Sequence, residues 1–105
     1  KYDQAAESLN AALTLDASCA RAYEYLGAIA EREMRYAEAA ELYERAWRFE
    51  NEASAPVGFK LAFNYLKADR YVQAIDVCHK ILKQFPDYPR LRSDVLDKAR
   101  AMLRS

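Results

Sequence analysis

Large apolar and small residues in this chain recur at helical spacing, and the same landmarks return at fixed intervals. Tyr36, Ala39, Tyr43 and Ala46 lie 34 residues after Tyr2, Ala5, Leu9 and Ala12, and 35 before Tyr71, Ala74, Cys78 and Ile81. A second set, Tyr23 with Leu26-Gly27, returns 35 residues later as Leu61-Ala62 followed by Tyr65. Small and large positions repeating in register are what a stack of helical hairpins needs, because each hairpin buries its apolar face only against its neighbours.

Read segment by segment, the pattern predicts six helices and no strand. Tyr2, Ala5, Ala6, Leu9, Ala12, Leu13 and Leu15 make an amphipathic helix over 1–16, the second half of a repeat whose first half is missing. One whole repeat is expected over 19–51. Its first helix runs from about Cys19 to Glu33, capped by Ser18, and its second runs from Tyr36 to about Phe49 with Ala39, Tyr43, Ala46 and Trp47 inward. Gly27 within a helix costs about 1 kcal/mol relative to Ala, so another backbone is expected close by. A second repeat is expected over 54–86, opened by Ser54 as cap with Pro56 in the first turn and closed by Pro86. A last helix over 87–105, with Asp87 or Tyr88 as cap and Pro89 in its first turn, places Leu91, Val95, Ala99, Met102 and Leu103 on one face and solvates the end of the stack.

Composition agrees with an all-α protein. Only two Gly and three Pro occur among 105 residues, and they fall mostly where helices should stop. The 16 basic and 16 acidic residues cancel, which leaves no global field to attract nucleic acid. No run approaches the ~20 apolar residues of a membrane span, so no direct membrane insertion is expected. The chain opens at Lys1 rather than Met, and with its first landmark halfway through a repeat, a preceding segment is expected. An open first helix of that kind would favour non-physiological self-association of the isolated fragment.

The landmarks resemble the tetratricopeptide repeat: Leu26-Gly27, Ala39 and Tyr43 in one unit, Leu61-Ala62, Tyr65, Ala74 and Pro86 in the next, with Asn51 standing where the first unit's closing Pro would be. A narrower resemblance rests on three stretches. They are Ala22-Tyr23-Glu24-Tyr25, the run from Pro56 to Lys67 with Arg70-Tyr71-Val72, and the ending from Asp94 to Arg104. Together these are similar to the C-terminal end of the large tetratricopeptide-repeat subunit of intraflagellar transport complex A. That resemblance implies an α-solenoid of antiparallel hairpins with a C-terminal capping helix, no enzymatic activity, and the other protein subunits of the complex as partners. It also implies a role in retrograde transport in the cytoplasm and cilium, and a natural terminus at or near Ser105.

The residues that could carry chemistry have simpler readings. His79 follows Cys78, but neighbours on a helix point about 100° apart and no further ligands are spaced to complete a zinc site. Cys19 and Cys78 form no disulfide framework. Glu31, Glu33, Glu38, Glu41, Glu44, Asp94 and Asp97 interleave with Arg32, Arg35, Arg45, Lys98 and Arg100 as a solvated face. Arg90, Arg92, Lys98, Arg100 and Arg104 make the most basic stretch, diluted by Asp94 and Asp97. No catalytic residue, metal ligand or cofactor site is expected.

Binding is therefore expected to be the function. In this repeat class the first helix of each hairpin lines a concave groove, which makes Arg21, Glu24, Ala28, Glu31, Phe59, Phe63 and Lys67 the candidate partner-binding residues. Ala28 and Phe63 stand where the chaperone-binding members carry carboxylate-gripping asparagines, which argues against that activity. Phe59 and Phe63 either grip an apolar helix or peptide, or pack on the final helix; the sequence leaves both open. Two other functional readings stand beside the transport one. They are a generic adaptor binding a short peptide or helix in the groove, and a regulatory segment of a larger enzyme.

Overall fold

In the computed structural model, residues 20–104 are described; the expected helix over 1–16, the Ser18 cap and Cys19 lie outside them. Five α-helices follow one another: α1 (Ala20–Arg32), α2 (Tyr36–Phe49), α3 (Ala55–Lys67), α4 (Tyr71–Gln84) and α5 (Asp97–Arg104), the last preceded by a π-helical segment, Arg92–Leu96. Each of α1 to α4 packs on the next in sequence, and the final segment packs on α4 with its π-helical part also reaching α3. Such short connections leave neighbours antiparallel. The result is an all-α solenoid fragment with a helix laid across its end.

The turns explain much of that order. After α1, the Arg35 N–H donates to the Ala30 carbonyl at 2.9 Å and the Met34 N–H to Glu31 at 3.0 Å; after α3, Arg70 donates to Tyr65 at 2.8 Å and Asp69 to Leu66 at 3.1 Å. Both are Schellman closures, and Met34 and Asp69 take the left-handed conformation that the motif requires, each at φ 62°. The turn geometry thus repeats at the same 35-residue interval as the apolar landmarks.

A third closure of this kind ends α2. There the Glu52 N–H donates to the Trp47 carbonyl and the Asn51 N–H to Arg48, both at 2.9 Å, with Asn51 at φ 56°. Proline, locked near φ −65°, cannot occupy that position. Asn51 in place of the repeat's usual Pro is therefore a requirement of this turn. Ser54 occupies the N-cap of α3 and its carbonyl accepts from the Gly58 N–H at 3.0 Å, but its side chain makes no capping bond; Pro56 sits in the first turn as expected.

Within the stack, Tyr23, Leu26, Gly27, Ala39, Tyr43, Ala46, Leu61, Ala62, Tyr65 and Ala74 are all buried, while Tyr36 and Tyr71 are half-buried and Pro86 is exposed. Residues such as Leu61 and Ile81 each contribute about 1.5–3 kcal/mol by leaving water. What crowds Gly27 is a ring and not the expected backbone: a Cβ there would lie 3.0 Å from Tyr43 Cε1. Gly58 is tighter still, its Cβ position being 2.7 Å from Ile81 Cδ1 and 3.0 Å from Trp47 Nε1.

The C-terminal segment departs from expectation. Pro89 precedes the helix, which begins only after Arg90 at φ 69°, and neither Asp87 nor Tyr88 caps it. The π-helical turn then changes the phase of the apolar face. At α-helical pitch Leu96 would stand about 140° round from Leu91. Here Leu91, Val95, Leu96 and Ala99 are all buried together. Met102 and Leu103, expected on the buried face, remain 49% and 51% exposed.

Candidate protein-binding groove

The residues of α1 and α3 expected to line the groove separate into two hollows and two structural contacts. Arg21, Glu24 and Ala28 surround a shallow hollow of about 330 Å³ together with Tyr25 and Lys60. It is bridged from α1 to α3 by Lys60 Nζ, 3.2 Å from Glu24 Oε1. Both side chains are partly exposed, so the pair contributes little stability and mainly ties the two helices across the groove.

Phe63 and Lys67 line a second hollow of about 410 Å³, whose other walls are Leu66, Asp69, Tyr71 and, from α5, Lys98, Ala101 and Met102. Lys67 Nζ lies 5.4 Å from the centre of the Phe63 ring, a cation–π contact that holds the charge at the lip. Phe59 is half-buried and turned toward Tyr88, with ring centroids 6.0 Å apart. Of the two roles left open for the phenylalanines, packing on the C-terminal segment describes Phe59, and Phe63 lines a hollow made jointly with α5.

Glu31 belongs to neither hollow. Its Oε1 accepts from the Tyr43 hydroxyl and from Asn64 Nδ2, both at 3.2 Å, so a residue expected to face a partner instead joins α1, α2 and α3. Asn64 is fully buried and also donates to the Lys60 carbonyl at 2.7 Å. It stands one position from Phe63, and its Nδ2 is spent inside the stack while its Oδ1 is buried without a hydrogen-bond partner among the described residues. Neither Ala28 nor Phe63 offers the groove a side-chain amide group.

Titration behaviour is that of a structural interior. Burial raises the Tyr43 phenol well above its ordinary range, with the Glu31 carboxylate adding to the effect. Burial together with Glu44, which accepts from the Tyr65 hydroxyl at 3.1 Å, pushes Tyr65 up to about 12. The Cys78 thiol is fully buried and pushed up to about 12 by desolvation, which keeps it protonated at neutral pH and a poor nucleophile. His79 is exposed, with Nε2 3.2 Å from an Arg100 guanidinium nitrogen, a contact between α4 and α5. Among the described residues no three His, Cys, Asp or Glu side chains gather where a metal ion could sit, and no described helix is long and apolar enough to cross a membrane.

Sequence reasoning missed Tyr25 and Lys60 in the first hollow and the whole α5 wall of the second. Lys98 and Met102 are four apart on one helix, a visible signal of a shared face. That this face meets Phe63 depends on how α5 docks, which periodicity does not encode.

Stacked antiparallel hairpins with an open groove define an extended helical scaffold of the tetratricopeptide-repeat kind. Residues 1–100 match the family model of the Tetratricopeptide repeat protein 21 C-terminal ARM domain, and the chain belongs to that family. It is 57% identical to mouse and 54% identical to human Tetratricopeptide repeat protein 21B over 104 residues, 99% of this chain. It is 38% identical over its full 105 residues to the Tetratricopeptide repeat protein 21 homolog of Caenorhabditis elegans. The chain spans 8% of the length of each of these relatives.

Proposed function

We propose that this chain is the C-terminal portion of a non-enzymatic scaffold subunit of intraflagellar transport complex A. It holds other protein subunits of the complex through extended helical surfaces, in support of retrograde transport in the cytoplasm and cilium. Family membership over almost the entire chain carries this reading, because a subunit of that complex is what the sequence runs resemble. The described residues are consistent with binding: their carboxylates and buried phenols pair with one another across helices, and the reactive side-chain types are buried or dispersed. Balanced charge argues against nucleic acid as a partner.

The test is affinity capture from ciliated cells of the full parent protein, with and without the segment Lys1 to Ser105, and identification of the co-purified proteins by mass spectrometry. Recovery of transport-complex subunits with the intact protein, and loss of some on deletion, is the expected result. Failure of the intact protein to recover any of them would overturn the ciliary assignment and leave a generic peptide-binding adaptor as the better reading. A catalytic domain in the parent chain would favour the regulatory segment instead.

A further inference from the structure

We infer that the seam between α3 and α5 is a docking site for an acidic, apolar-faced segment of a partner protein: aliphatic side chains that enter the hollow, flanked by carboxylates that meet its two lysines. The inference rests on the scaffold reading above and specifies the chemistry of what one of its surfaces holds.

Three observations converge there. The floor is apolar and comes from three elements, Phe63 and Leu66 on α3, Tyr71 at the start of α4 and Met102 on α5, around a volume of about 410 Å³. That volume admits one or two aliphatic side chains and falls within the range of small binding clefts. Met102 stays 49% exposed on a segment whose Leu91, Val95, Leu96 and Ala99 are fully buried, so the helix presents an apolar end that its own stack does not cover.

The rim supplies the charge. Lys67 and Lys98 stand on it from opposite helices, and among the described residues neither has an ion-pair partner. The one carboxylate on the rim, Asp69, already accepts the Tyr71 hydroxyl at 2.7 Å. In the other groove hollow Lys60 is paired with Glu24, which leaves Arg21 as its one cation outside the ion pairs of the described residues, against two around this floor. Lys67 Nζ is held 5.4 Å from the centre of the Phe63 ring, which places the cation beside any aliphatic group that enters. Two uncompensated cations around an apolar floor fit a ligand that carries both features. A purely anionic polymer would leave the floor unused, and a purely apolar segment would leave both lysines without counter-charge.

The experiment uses the full parent protein with its captured proteins and a zero-length carbodiimide, which joins a lysine to a carboxylate only when the two are in contact. Expected are cross-links from both Lys67 and Lys98 to Asp or Glu residues of one segment in another protein, with aliphatic residues within a helical turn of them. The Lys67→Glu/Lys98→Glu variant should lose capture of that protein by at least about tenfold, and Met102→Glu should weaken it separately. All three positions are exposed, and unchanged far-ultraviolet circular dichroism checks that the fold is kept. Cross-links joining two copies of this chain would overturn the proposal in favour of self-association. It would also fall if both lysines stay uncoupled, or if the charge-reversed variant captures normally, while deletion of Lys1 to Ser105 still removes a partner; the scaffold reading then stands. Deletion that removes no protein overturns the docking proposal and the holding role of this segment, while the assignment to the complex stands as long as the intact protein recovers its subunits.

Discussion

The Tyr43 ring lies against Gly27 so closely that a Cβ on that glycine would sit 3.0 Å from Cε1 and 3.1 Å from two further ring atoms. The ring cannot easily yield, since Tyr43 is buried and its hydroxyl is tied to Glu31. Ala39, on the same helix as Tyr43, is likewise fully buried. Gly27→Leu and Ala39→Leu are therefore each expected to destabilise the chain by about 1–3 kcal/mol or more through overpacking. At roughly 4–8 °C per kcal/mol, the loss is large enough to read in thermal unfolding. Unchanged midpoints in both variants would contradict the register described here.

Glu31 connects three helices, and its removal leaves the Asn64 amide buried with one partner fewer. Glu31→Ala should cost about 1–2 kcal/mol, the penalty for stranding buried donors. A double-mutant cycle with Asn64→Ala should show non-additivity, because the two residues share one bond. Strict additivity in chemical denaturation would mean that the contact carries no coupling energy.

Met34 adopts φ 62° at the closure of α1 and is 75% exposed, so its side chain contributes little to compensate the left-handed backbone. Met34→Gly should stabilise the chain by up to about 1 kcal/mol, since glycine removes the Cβ strain of that conformation. Asp69→Gly at the equivalent turn should give less, because it also removes the acceptor for the Tyr71 hydroxyl. A lower denaturant midpoint for Met34→Gly would show that the turn gains nothing from relief of strain.

Alkaline pH should weaken the fold. Cys78 rises from an ordinary 9.0 to about 12 and Tyr65 from 10.0 to about 12, in both cases chiefly through burial. The folded chain thus keeps protons that the unfolded chain releases above pH ~9–10, and stability falls as pH rises through that window toward ~12. Below it these groups contribute their full stabilisation. Thermal midpoints measured from neutral to strongly alkaline pH should stay level and then drop, and Tyr65→Phe should reduce the drop above pH ~10. A level profile through the whole range would rule out these groups as buried titrating sites.

The apolar landmarks and their 35-residue return were legible in the chain because a repeating stack confronts each hairpin with similar neighbours, so buried positions recur at Gly27 and Ala62, Tyr43 and Cys78. The same locality makes helix ends readable from Pro56 and from the short polar turns. Less legible was the meaning of a departure: Asn51 reads as a missing proline until the turn's positive φ shows why proline could not stand there.

By itself the sequence determined helices α1 to α4 and their pairing into hairpins, since these follow from periodicity and residue type within one or two turns of chain. Only the tertiary structure decided which polar groups were spent. Glu31 and Asn64 are 33 residues apart and meet only when α1 packs beside α3, while Phe63 and Lys98 reach a common hollow only through the docking of the last helix. The phase of that helix is set by a π-helical turn, whose single change of pitch buries Leu96 with Leu91 and leaves Met102 exposed. Local pattern cannot foresee such a change, because it is selected by the fit of four side chains against helices already in place.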